Sequence, residues 1–148
     1  MEAYYKTLNE LLVKLFNEIL NIEEKALLTD EFKDISITDM HIIEAISANK
    51  RQNMSTTAKK LQITVGTLTI AINNLVKKGY VSRTRSEEDR RVVLIALTNK
   101  GKRAFVHHAK FHKQMIDETI KNLSDEEIKV FVKGLGNIKK YFENKYMI

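Results

Sequence analysis

Residues 55–81 read STTAKKLQITVGTLTIAINNLVKKGYV, and the fold turns on how this stretch is read. It holds two helical patterns separated by a short polar turn. Ser55 is placed to cap the first helix, which would bury Ala58 and Leu61. Thr64 is placed to cap the second, where Val65, Leu68, Ile72, Leu75 and Val76 recur at helical spacing on one face. Gly79 ends that pattern, and Lys77 and Lys78 put positive charge at the helix's negative end. The opposite face then carries Gly66, Thr67, Ile70, Asn73, Asn74 and Lys77. A short helix, a tight turn and a second helix with a polar outer face make a helix-turn-helix. Thr and Asn can hydrogen-bond base edges, Asn can pair with adenine, and Ile70 can meet a thymine methyl. Gly66 would let the backbone approach a duplex closely. This face lacks arginine and suits A·T-rich sequence.

Immediately downstream, Tyr80–Arg85 and Val92–Leu97 are β-rich runs joined by the charged knot SEEDRR. Together they predict a hairpin, which beside a helix-turn-helix makes a winged helix. An arginine at the wing tip can enter a minor groove, where narrow A·T tracts concentrate negative potential. Arg91 is the candidate, with Asp89 two residues earlier placed to pair with it and pre-orient it. Arg83, Arg85 and Arg90 would lie near phosphates. The candidate DNA contacts are therefore Ser55, Thr64, Gly66, Thr67, Thr69, Ile70, Asn73, Asn74 and Lys77 in the helices, with Arg83, Arg85, Asp89, Arg90 and Arg91 in the wing.

Farther out the chain is helical. Residues 4–28 place Tyr4, Leu8, Leu11, Leu12, Leu15, Phe16, Ile19 and Leu20 on a wide apolar stripe. Thr38 can cap a short helix running to about Ala48, and NKRQNM reads as a polar connector. A helix starting at Thr98 or Asn99 carries a stripe to about Leu123. Ser124 and Glu127 form a capping box for the last helix, which contains Gly134 and Gly136. A monomer of this size does not obviously cover all these stripes. The terminal helices are expected to pack together and against a second copy.

Composition agrees. The 148 residues are 43% hydrophobic and 30% charged, as in a globular chain. Net charge is +6, and the Lys and Arg excess is concentrated between residues 46 and 113, while residues 1–45 are acidic. Such a basic middle suggests a polyanion-binding face. There is no cysteine, which removes disulfides and thiolate chemistry. The N-terminus lacks signal-peptide features and no run has the length of a membrane span, so a cytoplasmic protein without membrane association is expected. No phosphate-cradling glycine loop is present, and GLG in the last helix lacks the spacing and preceding strand of a dinucleotide site. An enzyme is not expected.

The stretch Asp89-Arg90-Arg91, the strand ending in Leu97-Thr98, and the segments KGYV and LTNKG resemble the MarR family of winged-helix repressors. The resemblance covers essentially the whole chain. It implies a mainly α fold with a small β-hairpin wing, a DNA-binding region at 36–98, and dimerisation helices at 1–35 and 99–148. It also implies an obligate homodimer on a pseudo-palindromic operator of double-stranded DNA, with two recognition helices about one helical turn apart.

Within that family, FKDISITDMH, TVGTLTIAINNLVKKGYV, RSEEDRRVV and KFHKQM look like the branch that represses fatty-acid biosynthesis. That likeness implies a long-chain acyl group on acyl carrier protein as corepressor. Leu12, Phe16, Leu20, Met40, Ile43, Phe111 and Met115 could line an acyl tunnel, or could be plain core. Lys100, Lys102, Arg103 and Lys110 could receive the acidic carrier. Zinc remains an alternative effector. His108 and His112 stand one helical turn apart, and some MarR relatives sense zinc with histidines at similar places plus an N-terminal glutamate. Glu24 and His41 complete that candidate set. A phenolic ligand is a further alternative.

Overall fold

The computed structural model describes every residue except 28, 30, 49, 147 and 148. The elements run α1 (Glu2–Glu10), a π-helical turn (Leu11–Leu15), α2 (Phe16–Leu27), α3 (Ile37–Ile46), β1 (Gln52–Asn53), α4 (Met54–Leu61), α5 (Val65–Lys77), β2 (Val81–Arg85), β3 (Val93–Leu97), α6 (Asn99–Ile120) and α7 (Asp125–Tyr146). Backbone packing divides the chain into two compact units, Met1–Phe111 and His112–Ile148, with the boundary inside α6. No helix among the described residues is long and apolar enough to cross a membrane.

The long N-terminal helix is present, interrupted by one π turn at Leu11–Leu15. Residue 28, its expected end, lies outside the described residues. The next helix begins one residue before the expected cap, Thr38. Ser36 is the N-cap: its hydroxyl accepts from the Asp39 N–H at 3.1 Å, and the Asp39 carboxylate accepts from the Ser36 N–H at 3.2 Å. This reciprocal box satisfies two orphan donors, which Thr38 could not do.

The connector NKRQNM, whose residue 49 lies outside the described residues, is also more ordered than expected. Gln52 and Asn53 form a strand pairing antiparallel with β3, Gln52 opposite Ile95 and Asn53 opposite Leu94. The sheet order is β1-β3-β2, and β2 pairs with β3 from Val81↔Leu97 to Arg85↔Val93. Asn53 then caps α4, its Oδ1 accepting from the Thr56 N–H at 2.7 Å. Ser55, the expected cap, sits exposed in the first turn instead.

The core of the first unit joins Leu27, Phe32 and Ile35 to Met40, Ile43 and Ile46 of α3, Leu68, Ile72 and Leu75 of α5, and Ile95 and Leu97 of β3. The buried stripe of α5 is the one the spacing predicts, except at Val65, which is 44% exposed. Two glycines fix the base of the wing. Gly79 has φ +81°, the left-handed conformation that closes α5. Gly101 brings α6 so close that a Cβ there would stand 2.1 Å from the Tyr80 carbonyl oxygen.

In the second unit, the capping box at Ser124 and Glu127 is formed: the Glu127 carboxylate accepts from the Ser124 N–H at 2.8 Å. Those bonds hold the Glu127 carboxyl below its ordinary range. No residue of α7 is buried, and the same is true of α1.

Candidate nucleic-acid interface

The outer face of α5 is open. Gly66, Thr67, Ile70, Asn73, Asn74 and Lys77 are all exposed, with Ile70 at 68%. Thr64 caps the helix, accepting from the Thr67 N–H at 3.1 Å, and its hydroxyl meets that of Thr67 at 2.9 Å. Thr69 is half-buried and donates its hydroxyl to the Val65 carbonyl at 2.7 Å. A Cβ on Gly66 would meet only the Thr64 hydroxyl oxygen, at 3.9 Å. The packing of this chain therefore does not require a glycine there.

The wing stands beside this helix. Ser55, Thr69 and Arg91, from α4, α5 and the wing, line a common cleft of about 430 Å³ together with Asn53, Val65 and Val93. Arg83, Arg85, Asp89, Arg90 and Arg91 are all exposed. Asp89 does brace Arg91, but through the main chain: its Oδ1 accepts from the Arg91 backbone N–H at 2.9 Å. The expected pairing with the guanidinium is replaced by a turn-forming bond, which a short carboxylate two residues upstream makes readily. Ser86, which the sequence reading passed over, completes the tip. Its hydroxyl accepts from the Glu88 N–H at 3.3 Å, and its N–H donates to the Val92 carbonyl at 2.9 Å.

A polar network anchors α5 at its far end. Lys78 pairs with Asp39 at 3.1 Å, and the buried Tyr80 donates its hydroxyl to Asp34 at 2.6 Å. Lys100 reaches Asp34 at 3.2 Å and the Lys78 carbonyl at 3.1 Å, with its ammonium 4.1 Å from the centre of the Tyr80 ring. Burial opposes ionisation of Asp34, but the Tyr80 and Lys100 hydrogen bonds and the Lys100 charge outweigh it and lower its pKa. Burial and the Asp34 carboxylate push the Tyr80 phenol up. Each of these residues was visible in the sequence. What was missing was any signal that residues 46–66 positions apart would meet.

Comparison with known proteins matches residues 25–107 to the family described as transcriptional regulator SarA/Rot. The chain belongs to the SarA/Rot family of transcriptional regulators. Among SarA/Rot-like relatives, the regulator SarZ of Staphylococcus aureus is 32% identical over 75% of this chain and 74% of its own length. The repressor YetL of Bacillus subtilis is 37% identical over 55% of this chain; the chain spans only 48% of YetL. FabT of Streptococcus pneumoniae, solved in complex with DNA, is 45% identical, with a TM-score of 0.85 over 95% of this chain and 98% of that one. Solved MarR-family regulators of lower identity share the fold. The chain is thus a winged-helix, DNA-binding transcriptional regulator of the MarR/SarA type.

The residues suggested for an effector are placed less simply in this SarA/Rot chain. Met40 and Ile43 are fully buried in the core, whereas Phe16 and Leu20 are 51% and 55% exposed. Leu12 and Phe111 are half-buried, and Met115, also half-buried, belongs to the second unit. Of the suggested carrier-binding cations, Lys100 and Arg103 are engaged internally, Arg103 with Glu31 at 2.6 Å.

Of the candidate metal set, Glu24 is exposed. Its neighbour Glu23 is the buried carboxylate facing His108, with Oε1 2.6 Å from Nε2. The Nδ1 of His108 meets Glu44 at 2.6 Å, and its ring lies 6.4 Å from those of His41 and Phe111. His112 follows one turn later, in the second unit. Burial alone would lower the His108 pKa, but the Glu44 hydrogen bond and the charges of Glu44 and Glu23 raise it. The cluster thus ties α2, α3 and α6 together. His107 adds a second tie, its Nε2 3.0 Å from the Ala26 carbonyl.

Proposed function

We propose that this protein is a homodimeric, sequence-specific repressor of fatty-acid biosynthesis genes, with acyl carrier protein bearing a long-chain acyl group as its corepressor. The observation that carries the reading is the 45% identity to streptococcal FabT along nearly the whole chain, together with an open α5 face beside an arginine-rich wing. Thr67, Ile70, Asn73 and Asn74 read base edges in the major groove of an A·T-rich half-site. Arg91 enters the neighbouring minor groove. Ser55, Lys77, Arg85 and Arg90 meet phosphates.

Dimerisation is supported by apolar side chains that the single chain leaves in water. Tyr4, Leu8, Leu11, Phe16 and Leu20 are exposed at the N-terminus, and Phe131, Leu135, Tyr141 and Phe142 on α7. Patches of this kind mark association surfaces. A second copy covers them and sets the spacing of two recognition helices. The same association brings Phe16 and Leu20 toward an enclosed site for an acyl chain.

The test uses a labelled promoter fragment from a fatty-acid synthesis cluster, with purified protein. Mass in solution is measured alongside. Tighter binding when acyl carrier protein loaded with a long-chain acyl group is added, by a protein of twice the chain mass, is the expected result. Relief by a chelator instead moves the effector to a metal. Indifference to both removes the corepressor and leaves a general DNA-binding regulator.

A further inference from the structure

Wing and recognition helix touch through a polar pair that neither element needs for its own folding. The Nη2 of Arg83, on β2, donates to Oδ1 of Asn73, on α5. Both side chains are exposed, so both remain within reach of a bound duplex. An arginine only donates, so the contact determines which end of the amide faces the wing: Oδ1 toward Arg83, Nδ2 away from it. Alternation along β2 puts Arg83 and Arg85 on one side of the strand. Among the described residues, the hydrogen bond from β2 to α5 is the one made by Arg83, although Arg85 shares its side of the strand.

We propose that Arg83 is a positioning residue for DNA reading, holding the Asn73 amide in a single orientation against a base edge. The proposal rests on the outer face of α5 being the reading surface. It separates two arginines that look alike in sequence. Arg85 is free to neutralise a phosphate, whereas Arg83 is committed to the amide and contributes to sequence preference instead. Oriented this way, Asn73 leads with its Nδ2 donors. The major-groove atoms that match are the acceptors, N7 of a purine, O6 of guanine or O4 of thymine. The free amide loses rotational freedom when it binds a base. An amide already fixed by a charge-assisted bond has lost it beforehand, and a wrongly placed donor edge then finds no partner.

The test uses the full chain and the double-stranded sequence it selects from random DNA, with a scrambled duplex of equal length. Affinities for both are measured across a salt series for the wild type and for N73A, R83A, the double variant, R83K and R85A. Thermal melts confirm that each variant is folded. R83A and N73A should each lower the selected-to-scrambled ratio by at least about fivefold. The double variant should lie within about twofold of either single one. R83A should leave the salt slope unchanged, while R85A lowers it by about one unit and spares the ratio. R83K keeps the charge but not the planar fork, and should resemble R83A. If R83A lowers the slope and spares the ratio, or if the two single effects multiply in the double variant, Arg83 is a phosphate contact and the proposal fails. If N73A leaves the ratio intact, the proposal fails together with the assignment of this face of α5 as the reader.

Discussion

Oδ1 of Asp89 accepts the backbone N–H of Arg91 at 2.9 Å, so the acid shapes the wing turn and leaves the guanidinium unbraced. An Asn side chain has an equivalent acceptor, whereas Ala has none. Asp89→Asn should therefore keep most operator affinity, and Asp89→Ala should lose about tenfold as the tip loosens. Arg91→Ala should lose more than either. Electrophoretic mobility shifts with one operator rank all three. Equal loss from Asp89→Asn and Asp89→Ala would show that the charge, and not the turn, matters.

Gly66 is expected to be retained for the partner and not for the fold, because a Cβ there would meet only the Thr64 hydroxyl oxygen, at an ordinary 3.9 Å. Gly66→Ala should stabilise the protein by up to about 1 kcal/mol, since alanine is the better helix former. Operator affinity should fall at the same time. A melt and a binding curve on the same preparation check the pair. A variant that gained stability without losing affinity would remove close backbone approach from the interface.

Gly101 behaves in the opposite way. A methyl group there would stand 2.1 Å from the Tyr80 oxygen and 3.3 Å from the Leu97 Cβ. Backbone must move to admit it, so Gly101→Ala should destabilise the first unit by about 3 kcal/mol. The denaturation midpoint measures this. Tolerance of alanine would mean that α6 does not seat on the Tyr80 carbonyl as described.

His108 makes stability depend on pH. Its folded pKa lies above the ordinary 6.5, because the bonding and charge of Glu44 and Glu23 outweigh its burial. The folded state then binds the proton more tightly than the unfolded chain. The contribution is complete below the unfolded value and is lost as pH rises through the folded one. Wild-type stability minus that of His108→Gln should be largest near about pH 6 and shrink toward alkaline pH. Urea titrations at several pH values test it. A difference that stays flat would mean the imidazole is neutral between its two acids.

The helix-turn-helix, the hairpin and the capping box at Ser124 were legible because each follows from local spacing and capping chemistry. Thr64, Gly79 and the stripe of Leu68, Ile72 and Leu75 do in the structure what their positions suggest. Ser36 and Asn53 displaced the expected caps Thr38 and Ser55, since several polar residues near a helix start compete and geometry selects among them. Strand β1 was missed because two residues give no periodicity. The Asp34–Tyr80–Lys100 cluster and the Glu23–His108–Glu44 bridge join distant segments, and no local pattern announces such meetings. On the outer face of α5 and along the wing, which side chains are exposed was legible and their pairings were not. Nothing in the order of residues distinguishes Arg83, bound to Asn73, from Arg85.

Asn53 belongs at once to the ladder with Leu94 and to the start of α4. The wing and the helical pair are consequently cut from one stiff piece, like the jaws of a fixed caliper. Such a gauge tolerates little error in the phase between furrows. If wing and helix enter neighbouring furrows as proposed, duplexes whose winding sets that phase differently should be turned away, a mechanical filter beside the chemical one.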